Sequence, residues 1–196
     1  MRARGASSWL DGPAPWLLGG GALGALVVLF WPKGAQAQAQ PATPRVALLG
    51  DSLAVGLTGP LGKLAAAGGV PFQGEGHVGT TPLQWSHDAP ACGPCGDWVA
   101  GFAPTTTLVV LGTNDLGYSP VPPVGPYQAI VRKFPNVVWV MPPVMPGDRL
   151  GGVRSVISSL GVPVIPAVAG LSFGPDHIHP TSAGYAAWAK IIWGLA

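Results

Sequence analysis

Short apolar runs alternate along this chain with longer stretches of helical patterning. Arg45–Gly50 (RVALLG), Val70–Gln73, Thr106–Leu111 (TTLVVL), Val137–Met141 (VVWVM) and Val162–Ile165 (VPVI) are brief, rich in β-branched residues and read as buried strands. Between them, Leu53–Ala67, Pro126–Lys133, Arg149–Leu160 and Thr181–Leu195 read as helices, the first with a kink or break at Gly59-Pro60. Strands separated by helices imply an α/β fold, a doubly wound parallel sheet with ligands at the carboxyl ends of its strands. The proline-rich pieces at 119–126 and 141–148 each follow a strand closely, and are expected as stiff loops on that side.

The first forty residues have a different pattern. Arg2 and Arg4 precede a charge-free run from Trp16 to Trp31, and an Ala/Gln stretch follows. Ala35-Gln36-Ala37 and Ala37-Gln38-Ala39 both satisfy a small-x-small cleavage rule. Residues 1–39 are therefore read as a signal peptide or an N-terminal membrane anchor. Export with cleavage is the preferred reading, because the run is short of the ~20 residues that cross hydrocarbon comfortably. Either way the domain at 44–196 is expected outside the cytoplasm, periplasmic or secreted, with any membrane association made through residues 16–31.

Composition narrows the picture further. Charged residues are only 9% of the chain while hydrophobic ones are 48%, so the chain can build a core despite its 30 glycines and 23 prolines. The sequence as a whole carries +2, but residues 1–39 hold Arg2, Arg4, Lys33 and Asp11. The remainder is charge-balanced and has no footprint for a phosphate backbone, so no nucleic-acid partner is expected.

Three polar clusters fall at the ends of apolar segments. Gly50-Asp51-Ser52-Leu53 places a serine between a strand and a helix start, where outward-facing amides favour negative charge. That suits a nucleophile whose attack creates an oxyanion, although Asp51 or Ser52 would also serve as an ordinary N-cap. The Gly-x-Ser-x-Gly elbow is not met, since Ala54 occupies its last position. Gly112-Thr113-Asn114-Asp115 offers an uncharged amide donor directly after a strand, and is equally good turn material. Asp176-His177-Ile178-His179-Pro180 puts two imidazoles in a loop with a carboxylate three residues before His179. Asp176 with the two histidines is also a metal-ligating set, but no further ligand cluster accompanies it, and neither metal nor cofactor is expected.

Taken together, these clusters resemble the SGNH hydrolases, the GDSL-type esterases and lipases. The likeness runs from about Arg45 to the C-terminus, with GDSL at 50–53, GTND at 112–115 and DHIHP at 176–180 in the family's order. The glycine block is matched best by Gly79 in GEGHVGTTPLQW. The resemblance implies a three-layer, flavodoxin-like α/β fold and a Ser-His-Asp triad of Ser52, His179 and Asp176. It implies an oxyanion hole from the Ser52 and Gly79 N–H groups and the Asn114 side chain. The implied function is an exported serine esterase acting on small-molecule or polymer-borne acyl or acetyl esters through an acyl-serine. The alternative is a non-catalytic envelope or carbohydrate-binding module that keeps the fold.

Cys92-Gly93-Pro94-Cys95 has the letters of a thioredoxin redox centre, yet no apolar strand leads into it. In an exported chain with two cysteines, a local disulfide between Cys92 and Cys95 is the expectation, with a zinc site from His77, His87, Cys92 and Cys95 as the competing reading. Trp139 and at least one of Trp188 and Trp193 are expected in the core. Trp85 is read as packing or as a pocket wall, and Tyr118 as a pocket candidate.

Overall fold

A computed structural model describes residues 43–87, 93–117 and 121–196 of the chain. The N-terminal segment at 1–39, Cys92 and Tyr118 lie outside the described residues, and with them the readings placed there. Among the described residues, no helix is long and apolar enough to cross a membrane.

Five strands form one parallel sheet in the order β2-β1-β3-β4-β5: β1 Val46–Gly50, β2 Phe72–Gly76, β3 Thr106–Val110, β4 Val137–Val140 and β5 Val164–Ile165. β1 and β3 are buried almost throughout, as uninterrupted apolar runs require. Helix α1 (Ser52–Ala67) and helix α6 (Ser182–Leu195) pack together on one face. Helix α4 (Val124–Lys133) contacts both α2 (Pro82–Ser86) and α5 (Gly151–Ser158) in the other outer layer, with α3 (Trp98–Phe102) leading into β3. The result is the expected three-layer, doubly wound α/β architecture with flavodoxin-like strand order. Chain direction across the sheet reverses between β1 and β3, so a crevice opens beyond their carboxyl ends.

Several boundaries differ from the sequence reading, for physical reasons. Helix α1 runs uninterrupted through Gly59-Pro60, because burial of Leu57, Leu61 and Ala65 outweighs the missing proline donor. β2 begins at Phe72, two residues later than the apolar pattern placed it; Val70 instead donates its N–H to the Ala65 carbonyl in the turn after α1. This edge strand, FQGEG, carries no apolar run to mark it. Its glycines serve close packing: a Cβ at Gly76 would lie 2.7 Å from the Val55 amide nitrogen on α1. The five-residue helices α2 and α3 are too short to show a period, and the sequence reading missed both.

The core is built as expected from Leu48, Leu49, Leu108, Val109 and Val140 of the sheet, with Trp139 and Trp188 fully buried and Trp193 only partly. The Tyr127 ring stacks on Trp139 at 5.3 Å between centroids. Trp85 is completely buried, so it is a packing residue rather than an open pocket wall.

Candidate active site

Ser52 is the first residue of α1 and follows directly on β1 and the cap Asp51. The Asp51 carboxylate accepts the Leu53 N–H at 2.9 Å, which starts the helix and turns Ser52 out of the sheet. Gly50 is needed for packing at this turn: a Cβ there would fall 2.0 Å from the Val110 carbonyl oxygen of β3. The glycine thus lets β1 and β3 keep their spacing where the chain leaves the sheet.

His179 arrives from a loop pinned at both ends. Thr181 N–H donates to the Ser172 carbonyl and Gly174 N–H to the His179 carbonyl, each at 2.8 Å, around a Phe173–Pro180 bridge. His177, the competing imidazole, takes the left-handed turn position at φ 58° and makes no link to Ser52. His179 Nε2 lies 2.7 Å from Ser52 Oγ, and its Nδ1 lies 2.6 Å from Asp176 Oδ2. The other Asp176 oxygen accepts the Ile178 and His179 N–H groups, both at 3.0 Å. The His179 side chain, then these two amides, hold the Asp176 carboxyl well below the usual carboxylate range. Asp176 and His179 are partly open to solvent, with side chains 49% and 39% exposed.

Asn114 lies in a 3₁₀ turn at Thr113–Gly117, directly beyond β3. Its side-chain Nδ2 donates to the Thr80 carbonyl at 2.8 Å, joining the loop after β3 to the loop after β2. Gly79 precedes Thr80 with φ 77°, the conformation that favours glycine, and lies exposed. Thr80 is itself locked: its hydroxyl donates to the His77 carbonyl at 2.7 Å and accepts the Trp85 indole N–H at 2.9 Å. Sequence reasoning missed this support. The Thr81-x-x-Gln84 capping box that starts α2 was its one legible trace.

Two buried carboxyls, Asp51 and Asp115, directly neighbour the site residues Ser52 and Asn114 in the chain. Burial pushes Asp51 up to about 7, against the opposing pull of the Leu53 amide, Thr113 and His179. Thr113, buried beside Asp51, faces the carboxyl with its hydroxyl and its amide. Asp115 is likewise raised by burial, although the Tyr127 hydroxyl donates to it at 2.6 Å.

The competing zinc reading includes Cys92, outside the described residues; of its other members, His87 does not join His77 and Cys95. Glu75, His77 and Cys95 are the one metal-capable group that converges among the described residues. Glu75 already binds His77 Nε2 with one oxygen and the Gly96 N–H and Trp98 indole with the other. Cys95 is buried and is not a free thiol. The cluster therefore braces the loop after β2.

No family model matches the sequence, and no curated protein does. Among solved structures, the chain is similar to an alpha/beta hydrolase enzyme from the metagenome of Lake Arreo, Spain. That match has a TM-score of 0.56 at 15% identity, over 78% of this chain and 94% of that one. It is also similar to the C-terminal catalytic domain of Streptococcus pneumoniae peptidoglycan O-acetyltransferase A. There the TM-score is 0.49 at 16% identity, over 78% of this chain and 92% of that one. At such identities the likeness is one of fold alone, the α/β arrangement around a parallel sheet.

Proposed function

We propose that this chain is an exported serine esterase of the SGNH type, cleaving acyl or acetyl esters through an acyl-serine. The observation that carries the reading is the continuous chain of hydrogen bonds from Ser52 through His179 to Asp176, at 2.7 and 2.6 Å. Two ring nitrogens with opposite partners are what a proton shuttle needs.

In this reading the Ser52 oxygen attacks the ester carbonyl while His179 Nε2 takes its proton. Asp176 holds the tautomer with the proton on Nδ1 and stabilises the imidazolium that forms. The carbonyl oxygen gathers negative charge and is met by the Ser52 N–H, the Gly79 N–H and the Asn114 amide. The Ser52 N–H belongs to the first turn of α1, whose amides have no acceptors within the helix. One Asn114 amide hydrogen goes to Thr80, which leaves the other for the oxyanion. His179 then returns its proton to the alcohol oxygen, the C–O bond breaks, and the alcohol leaves. Water repeats the sequence on the acyl-serine; the exposure of the His179 ring supports water as the acceptor. The reaction calls for no cofactor. Export rests on the N-terminal segment, and outside the cytoplasm a Cys92–Cys95 disulfide would close the short loop after α2.

Treatment with a fluorophosphonate tests the reading. The wild-type chain is expected to be labelled at Ser52 and to hydrolyse small acetate esters, and Ser52→Ala to do neither. An unlabelled but folded wild type would instead favour a binding module that keeps this fold.

A further inference from the structure

Beyond the triad lies a cavity of about 230 Å³, walled by Met145, Leu150 and Ile178 and by the charged residues Asp148, Arg149 and Asp176. Its position relative to the chemistry has a consequence. Asp176, His177 and Ile178, from the loop that carries His179, form one wall, so the cavity borders the triad at its Asp176 end, with the imidazole between it and Ser52. The group that receives its proton from His179 is the leaving alcohol, so an alcohol portion that extends past the imidazole reaches this cavity.

The charges in the cavity are unequally engaged. Asp148 is paired with Arg154 at 2.6 Å and also accepts the Leu150 N–H. Burial works against the Asp148 charge, but the Arg154 guanidinium and the Leu150 amide prevail and hold its carboxyl below the usual range. Asp176 faces His179. Arg149 has no hydrogen-bond or ion-pair partner among the described residues, and it is the only cation among the lining residues. The wall that carries it is firmly held. Arg154 also donates to the Pro143 carbonyl, and Val144 N–H donates to the Val168 carbonyl. With both carboxylates engaged, the exposed Arg149 is the guanidinium of this wall left open to an anion.

We propose that this cavity is the alcohol-side subsite of the esterase, and that Arg149 selects esters whose alcohol portion carries a carboxylate or another anionic group. The proposal rests on the esterase reading and adds a substrate class to it. The apolar residues Met145, Leu150 and Ile178 cover the body of the alcohol, and Arg149 meets its charge.

A matched pair of esters tests this with the full chain: 3-carboxyphenyl acetate and its neutral isostere 3-carbamoylphenyl acetate, each corrected for its uncatalysed hydrolysis. The wild type is expected to favour the anionic ester in kcat/KM by roughly three- to tenfold, the range of a partly exposed charge contact. That preference should fade at high salt. Arg149→Gln should bring the ratio to about one, Arg149→Glu below one, and Arg149→Lys should retain part of it. Turnover of both esters with a wild-type ratio of one overturns the subsite but leaves the esterase standing. So does a ratio unchanged in folded Arg149→Gln. If either variant fails to fold, a salt-insensitive wild-type ratio overturns the subsite alone. No turnover of either ester, with Ser52 unlabelled, overturns the esterase reading and this one with it.

Discussion

His179 Nε2 lies 2.7 Å from the hydroxyl of Ser52, a residue 127 positions away in sequence. The contact joins the first turn beyond β1 to the last loop before α6. Because α1 and α6 pack on the same face, the elements that carry the two side chains also brace each other.

Ser52→Ala is expected to lower ester turnover by roughly 10⁴-fold or more while leaving the far-UV spectrum and melting temperature near those of the wild type. His179→Ala should match that loss, and His177→Ala should not. Steady-state kinetics on one acetate ester decides the matter, and equal losses for the two histidines would remove His179 from its assigned role.

Asn114→Ala is expected to reduce kcat by roughly 10²–10³-fold, the effect of losing one oxyanion donor. Asn114 is exposed, so the thermal midpoint should hardly move. A variant with normal kcat would show that the amide serves only to join two loops.

Asp51 links stability to pH. Its carboxyl lies at about 7 in the folded chain against an ordinary 3.8, so between those values the folded form holds a proton that the unfolded form has lost. Stability must then fall as pH rises through that window and level off above it. Asp176 acts at the other end: its carboxyl is held low, so its contribution is lost only as pH falls below the ordinary carboxylate range. Urea unfolding at pH 5 and pH 8 should therefore show a smaller decline for Asp51→Asn than for the wild type, by on the order of 1–3 kcal/mol. An unchanged decline would mean that another group, with Asp115 the first candidate, carries the effect.

Two glycines should respond in opposite ways. Gly50→Ala forces a Cβ against the Val110 carbonyl and should destabilise the domain by about 3 kcal/mol or more, or prevent its folding. Gly62→Ala, inside α1, meets only the Phe72 ring at ordinary contact distance. It should stabilise by about 0.5–1 kcal/mol through helix propensity. Denaturant midpoints of the two variants provide the check.

The sequence alone was enough to read the α/β class, the central strands β1, β3 and β4, and the polar clusters straight after β1 and β3. Each of these is local: an uninterrupted apolar run belongs in a buried parallel strand, and a polar residue straight after it must lie at the sheet's edge. Local pattern placed β2 two residues early and ended it too soon, because its FQGEG sequence is suited to the close approach of α1 rather than to burial. It could not decide between His177 and His179 either, since both share one loop; the left-handed turn at His177 and the Phe173–Pro180 bridge determine which ring meets Ser52. The support of Thr80 by Trp85 and Asn114, and the unpaired charge of Arg149 beside the triad, likewise belong to tertiary structure alone. Periodicity reports which face of an element is buried, whereas a hydrogen bond or an ion pair depends on which distant element comes to lie opposite it.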